Sequence, residues 1–250
     1  MFFQGRGTVY LADYDATGVA KPVYKLAICP DAFGLSLSQE SFSHTSKCGA
    51  VDVEDFRGTK SSSGELSLSF ADVADKKFAM AVFGTTNATA TGSVTAETLP
   101  TGVAIGDVYF CGGGTRHRVL TSVVVKDSAG SPITLALGTN YTLDAATGMI
   151  TFLTATGTQP YKVDYSYADP ATVSLLTAAA KEYVCMFEYI NKANNNAKGT
   201  VELFRVKFDP TQNMDFLSDE LQVMELKGAV LADQLRTTTD TVFGQFGRRI

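Results

Sequence analysis

A chain with only two histidines has few places to begin chemistry. His44 lies beside Ser43 and Ser46 in "SHTS", but a serine nucleophile needs a base and an exposed turn, and no G-x-S-x-G elbow occurs. His117 falls in "CGGGTRHR", Cys111 to Arg118, where Arg116 and Arg118 would offer cations to a phosphate. That stretch lacks G-x-x-x-x-G-K-[ST], and no helical pattern follows whose N-terminus would receive the anion. It reads as a flexible turn with His117 exposed on it. Asp52, Glu54 and Asp55 alternate like calcium ligands but lack the glycine and terminal glutamate of a calcium loop, so they read as a solvated acidic stretch. Cys29, Cys48, Cys111 and Cys185 stand singly, with no C-x-x-C pair, which fits free thiols in a reducing compartment better than zinc. These residues nominate no catalytic, cofactor or metal site, and the expectation is a protein that is not an enzyme.

The elements that would carry such residues are mostly strands. With 250 residues and 45% apolar content, the chain can bury roughly three-quarters of its unfolded surface, enough for one large β domain or two smaller ones. Charged residues make up 19%, below the usual share of about a quarter, which hints at surface hidden in an assembly. A net charge of −5 and no basic run longer than Arg248-Arg249 argue against sequence-independent DNA binding. "MFFQGRG" lacks the basic and apolar regions of a secretory signal, and no run approaches a membrane span, so the expectation is cytoplasmic synthesis without membrane insertion.

Along the chain, "GTVYLADYD" and "PVYKLAICPDAFGLSLSQE" alternate as two or three strands. "GELSLSF" is a half-buried strand, with Leu66, Leu68 and Phe70 facing one way and Glu65, Ser67 and Ser69 the other. Between them, "SHTSKCGAVDVEDFRGTKSSSGEL" reads as a long polar loop, of a length that is usually functional or disordered. In "ADVADKKFAMAVFG" the period becomes helical at Ala74, Phe78, Ala81 and Val82, with Asp72 as cap and Gly84 as stop. "TTNATATGSVTAET" reads as a linker, and the region from Thr101 to Pro170, with its regularly spaced turns, as an inserted β meander or small sandwich. Glu182 to Ile190 and Thr200 to Phe208 form a hairpin around an Asn-rich turn ending in Gly199; Tyr183, Phe187 and Tyr189 share one side as core. "LQVMELKGAVLAD" adds one strand, and "QLRTTTDTVFGQFGRRI" looks like an arm.

Three stretches carry a resemblance: "VYLADYDATG", "KEYVCMFEYINKANNNAKGTVELFRVKFDPTQNMDFLSDE" and "FGQFGRRI". Over roughly residues 1–90 and 178–250 the chain resembles the major tail tube protein of long-tailed, siphovirus-like bacteriophages. The resemblance implies a mainly β fold, a tail-tube-type β-sandwich or curved sheet with one flanking short α-helix, plus an inserted β module. Residues 1–98 and 171–235 would form the tube core, 41–63 a long inter-ring loop, 99–170 the inserted module outside the tube, and 236–250 a C-terminal arm. It further implies a viral structural protein that self-assembles into hexameric rings stacked into a hollow conduit in the virion tail. DNA passes through this conduit during ejection without specific binding, and tape-measure and tail terminator proteins are expected partners. No cofactor is implied. Asp52, Glu54, Asp55, Arg57 and Lys60 become candidates for inter-ring contact. Polar strand positions Glu65, Ser67, Ser69, Glu182, Glu188 and Glu202 become candidates for an electronegative lumen wall. The alternative from another class is a β-sandwich carbohydrate-binding or adhesion module, motivated by the Thr/Ser-rich Thr101 to Pro170 region.

Overall fold

A computed structural model describes residues 4–17, 21–48, 51–211, 214, 216–217, 221–233, 235 and 246–250. It is mainly β: sixteen strands and one short helix are formed by the described residues. In chain order these are β1 (Gly5–Asp13), β2 (Tyr24–Ile28), β3 (Ala32–Ser46), β4 (Val53–Phe70), α1 (Asp75–Ala81), β5 (Thr85–Asn87), β6 (Ala90–Thr98) and β7 (Val108–Phe110). There follow β8 (Thr121–Lys126), β9 (Tyr141–Asp144), β10 (Met149–Phe152), β11 (Lys162–Asp169), β12 (Thr172–Ser174), β13 (Glu182–Asn191), β14 (Ala197–Phe208), β15 (Met224–Val230) and β16 (Gly247–Arg249). Two compact units result, one from Met1–Thr85 with Val173–Ile250 and the other from Thr86–Thr172.

The first unit is built on an antiparallel sheet of order β2-β1-β13-β14-β15-β4-β3, with β16 also paired to β14. Alternation writes its core directly: Val9 and Leu11, Cys185 and Phe187, Val206 and Phe208, Leu226, and Leu66 and Leu68 turn to one side and are buried together. From β13 to β3 the path crosses four strand spacings, about 19 Å in a flat sheet. Yet the rings of Phe33 on β3 and Phe187 on β13 stack with centroids 4.5 Å apart. The sheet therefore rolls over its own apolar face, and Phe78, Met80 and Ala81 of α1 pack into the same cluster.

The helix begins later than its sequence signals suggest. Ala74 occupies the N-cap position without a side-chain cap, and Asp72, outside the helix, pairs with Lys77 instead. Gly84 follows one residue after Phe83, which itself takes the left-handed conformation at φ 49°; a Cβ on Gly84 would lie 2.5 Å from the Ser174 carbonyl oxygen. The Gly84 amide donates to the Ala79 carbonyl at 2.7 Å and closes the helix at the glycine the sequence marks as its stop, while the close approach of the Ser174 backbone is what requires glycine there.

Four sequence expectations need correction. Residues 85–98 are no linker: β6 pairs with β11 along its whole length, because Thr and Val suit a pleated, half-exposed surface even without a large apolar residue. Gly199 does not end the β13–β14 turn, whose left-handed positions are Asn195 and Asn196; it lies inside β14, opposite Tyr189. The polar interval 41–63 is not irregular, since β3 and β4 stay paired from Ala32↔Ser69 out to Ser46↔Val53. Of the C-terminal arm, 236–245 lies outside the described residues, while Gly247–Arg249 form β16 on β14.

The second unit holds two three-stranded antiparallel sheets, β6-β11-β8 and β7-β10-β9, around a core of its own that includes Val125, Ile150, Phe152, Tyr161 and Val163. Its chain limits fall at Thr86 and Thr172, not at 99 and 170, because β6 belongs to its sheet. Asn87 donates to the Thr172 hydroxyl at 3.3 Å, so the two ends of this unit meet.

One device recurs in both units. Three aromatic residues sit directly opposite a glycine on the neighbouring strand: Phe42 on Gly58, Tyr167 on Gly92 and Tyr189 on Gly199. A Cβ on any of these glycines would come within 2.4–2.8 Å of the opposing ring or its hydroxyl. The ring lies flat over the bare backbone and covers it, which pins the register at that pair.

Candidate functional site

The most exposed regular feature is the outer part of the β3–β4 hairpin. From Ser36 outward, nearly every residue of both strands is exposed, and β4 pairs with β15 only over Gly64–Phe70. Beyond that point, among the described residues, β3 and β4 pair only with each other, a two-stranded ribbon of marginal stability in water. Two bulges on β4, at Lys60 and Asp55, increase its twist. The inter-ring candidates all belong here. Arg57 donates to Glu54 at 2.8 Å, Lys60 to Glu40 at 2.9 Å, and His44 Nδ1 lies 2.6 Å from Asp55. Asp52 is exposed beside the turn. These pairs are largely in solvent and hold little energy, so they shape the ribbon rather than anchor it.

Sequence reading missed the apolar side of this ribbon. β3 alternates without interruption, so Phe42, His44 and Ser46 share one face with their partners Gly58, Phe56 and Val53. Phe42 and Phe56 meet with centroids 5.7 Å apart, yet remain 51% and 55% exposed, and Val53 is 59% exposed. The signal was present as three apolar residues scattered among serines, but it becomes a patch only once the register is known.

The six lumen candidates come together on one face. Across the sheet Glu182 opposes Lys207, Lys207 opposes Ala229, and Ala229 opposes Glu65; Lys227 opposes Ser67, and Glu225 opposes Ser69. Glu202 opposes Met186, and Glu188 opposes Thr200. This is the polar face of the rolled sheet, away from the core. Its charge is mixed rather than uniformly acidic. Arg205 makes a two-pronged contact with Glu182 at 2.8 and 2.9 Å, which holds that carboxyl below its usual range, and Arg248 binds Glu202 at 2.8 Å. At one end Tyr14 donates to the buried Asp233 at 2.9 Å and lies under the Arg205 guanidinium. Burial, then Asp233, pushes the Tyr14 phenol up.

In the second unit the glycine-rich turn is pinned at both ends, contrary to the flexible turn expected. Glu97 accepts from the Gly112 amide at 2.9 Å and from the Tyr109 hydroxyl at 2.9 Å; Asp169 accepts from the Arg118 amide at 2.6 Å and meets His117 Nδ1 at 2.8 Å. His117 is mostly buried and stacks on Tyr167 at 3.6 Å, so it is no exposed loop histidine. Carboxylates 72 residues apart in sequence are the missing information: Glu97, opposite Val163, and Asp169, opposite Ala90, stand toward the two ends of the β6–β11 ladder, and each holds one end of the turn. The Tyr165 hydroxyl is buried beside this cluster, and burial, then Glu97, raises its pKa. Burial, then Glu97, likewise pushes the Cys111 thiol up to about 12, and burial alone does the same for Cys185. Such thiols are protonated and poor nucleophiles. Cys29 and Cys48 are exposed.

Among the described residues no group of three or more His, Cys, Asp or Glu side chains is placed to hold a metal ion. No described helix is long and apolar enough to cross a membrane. The chain is thus a mainly β protein of two units whose salient surfaces are a projecting ribbon and a polar sheet face. It belongs to the family described as protein of unknown function UCP028589, whose model matches residues 2–250. No curated protein matches the chain.

Proposed function

We propose that this chain is a structural subunit of a bacteriophage tail tube, forming hexameric rings that stack into a conduit for DNA. The observation that carries the reading is the β3–β4 ribbon: a paired extension exposed on both sides, with aromatic residues on one of them and no residue in the buried core of its own unit. A marginal ribbon held out from a sheet gains its stability from a neighbour, and a second copy is the neighbour always present. Among the described residues the rolled sheet ends on β2 and β3, whose outer edges would serve for pairing between copies. In this reading the face bearing Glu65, Ser67, Ser69, Glu182, Glu188 and Glu202 lines the channel. Holding Arg205 and Arg248 against carboxylates reduces what a passing phosphate backbone can grip. The subunit carries no catalytic step; tape-measure and terminator proteins would be its partners, and the virion tail its location.

Sedimentation velocity on the purified full chain across a hundredfold concentration range tests this. Growth from monomer into ring-sized and larger species supports it; a single monomer boundary at every concentration refutes it.

A further inference from the structure

Beside the base of the ribbon the sheet opens. β14 pairs with β16 at Val201–Leu203 and with β15 at Val206–Phe208, both on the edge away from β13, so β16 takes the place that a longer β15 would fill. β4 runs past this point, and among the described residues it makes no pairing with β16. The gap is a cleft of about 550 Å³, lined by Leu35 and Leu37 of β3, Val201 and Leu203 of β14, Val230 and Phe246, with Ser38, Ser62, Arg248 and Arg249 at its polar positions. That volume lies within the usual range for a site that encloses apolar groups. Leu37 on its wall is 70% exposed.

The ribbon patch and the cleft are both apolar but belong to opposite sides of β3. Phe42 lies five residues beyond Leu37, about 17 Å further along the strand, and odd and even residues of β3 face opposite sides. The aromatic patch of Phe42, Phe56 and Val53 therefore looks out of one side of the hairpin, while Leu35 and Leu37 line the cleft from the other. One chain cannot fold its patch into its own cleft. Acidic Asp52, Glu54 and Asp55 flank the patch in sequence, whereas the cleft carries the cation of Arg249, which also donates to the Tyr189 hydroxyl at 2.7 Å; Arg248 beside it is held by Glu202.

We infer that the cleft receives the aromatic patch of a second copy of this chain. A protrusion on one side and its receptacle on the other make a head-to-tail contact, which repeats without closing on itself unless rotation brings it round. This rests on reading the chain as a self-assembling subunit and assigns the residues of one contact.

Two full-length variants test it in combination. Leu37→Glu places a charge in the cleft, and Phe56→Ser removes an anchor from the patch; each alone should weaken self-association about thirtyfold or more, the loss expected of a central contact residue. Mixed in equal amounts, they should form heterodimers, because the intact patch of the first fits the intact cleft of the second. Val53→Glu replaces Phe56→Ser if circular dichroism shows that the serine variant alters strand content. Single variants that assemble like the unsubstituted chain would overturn the inference while leaving the subunit reading in place. A mixture of two folded variants that stays monomeric would overturn it as well. A chain that never self-associates even without substitution would sink both.

Discussion

Replacing residues 41–60 with Asn-Gly should separate folding from assembly. Glu40 and Ser61 are paired across the hairpin, so a two-residue turn of this type closes β3 on β4 without changing the register of any residue between Ala32 and Ser69. No residue removed belongs to the buried core of the first unit. The losses are the ribbon's own ladder from Ser41↔Thr59 to Ser46↔Val53, which is of marginal stability in water, and the contact between Phe42 and Phe56, worth about 0.5–1.5 kcal/mol for an aromatic pair. Against it, closing a turn of two residues instead of about twenty recovers roughly 2 kcal/mol of chain entropy. The exposed Lys60–Glu40 pair adds little to either side. Urea unfolding of the trimmed chain should therefore give a stability within about 2 kcal/mol of the full chain. Sedimentation of the same sample should show monomers or isolated rings and no longer species. A trimmed chain that fails to fold would show that the ribbon belongs to the core. One that still grows into long assemblies would refute its role between copies.

Other consequences concern the second unit and the acid limb. Gly148 has φ +71°, and a Cβ there would lie 2.1 Å from the His117 carbonyl oxygen, so Gly148→Ala should cost at least about 1–3 kcal/mol, read by thermal unfolding. Tyr109→Phe removes a hydrogen bond to Glu97 and should cost about 1–2 kcal/mol, whereas Tyr165→Phe removes a buried hydroxyl that lies near Glu97 but makes no well-formed hydrogen bond among the described residues, and should cost less. Equal losses from both would contradict the assignment. Asp127, buried and accepting from the amides of Ile133, Thr158 and Ala129, has its pKa lowered chiefly by the Ile133 amide. Its folded pKa lies below the unfolded value near 3.8, so its contribution is present above that value and is lost as pH falls through the lower one. Asp127→Asn should flatten this part of the acid unfolding profile; an unchanged profile would contradict the linkage.

Where side chains alternate against one core, the fold was legible from the residues alone. Leu66, Leu68 and Phe70, or Cys185 and Phe187, announce a strand with one buried face, and the structure buries them. The helical period around Phe78 was equally plain, although Asp72 proved to be an ion-pair partner and not a cap. What escaped was structure made by pairing rather than by burial. The outer ribbon and β6 are built mostly from Ser, Thr, Gly, Ala and charged residues, with too few large apolar side chains to mark a buried face by alternation; backbone hydrogen bonds to a partner strand hold them. For the same reason the Phe42–Gly58–Phe56 patch, the pinning of the glycine turn by Glu97 and Asp169, and the cleft beside β16 depend on register and on contacts between residues far apart in sequence. Alternation sets each of the six polar strand positions opposite its apolar neighbours, but the arginine partners of Glu182 and Glu202 come from bulged or terminal segments that alternation does not locate.

Electron cryo-microscopy of the purified full-length chain at high concentration is the most direct test of the central claim. The account predicts hollow tubes of stacked six-membered rings, with the β3–β4 ribbon reaching from one copy to the next and the Glu65–Ser67–Ser69 face turned to the channel. A field of separate single chains, or an assembly in which that face lies on the outside, would contradict it.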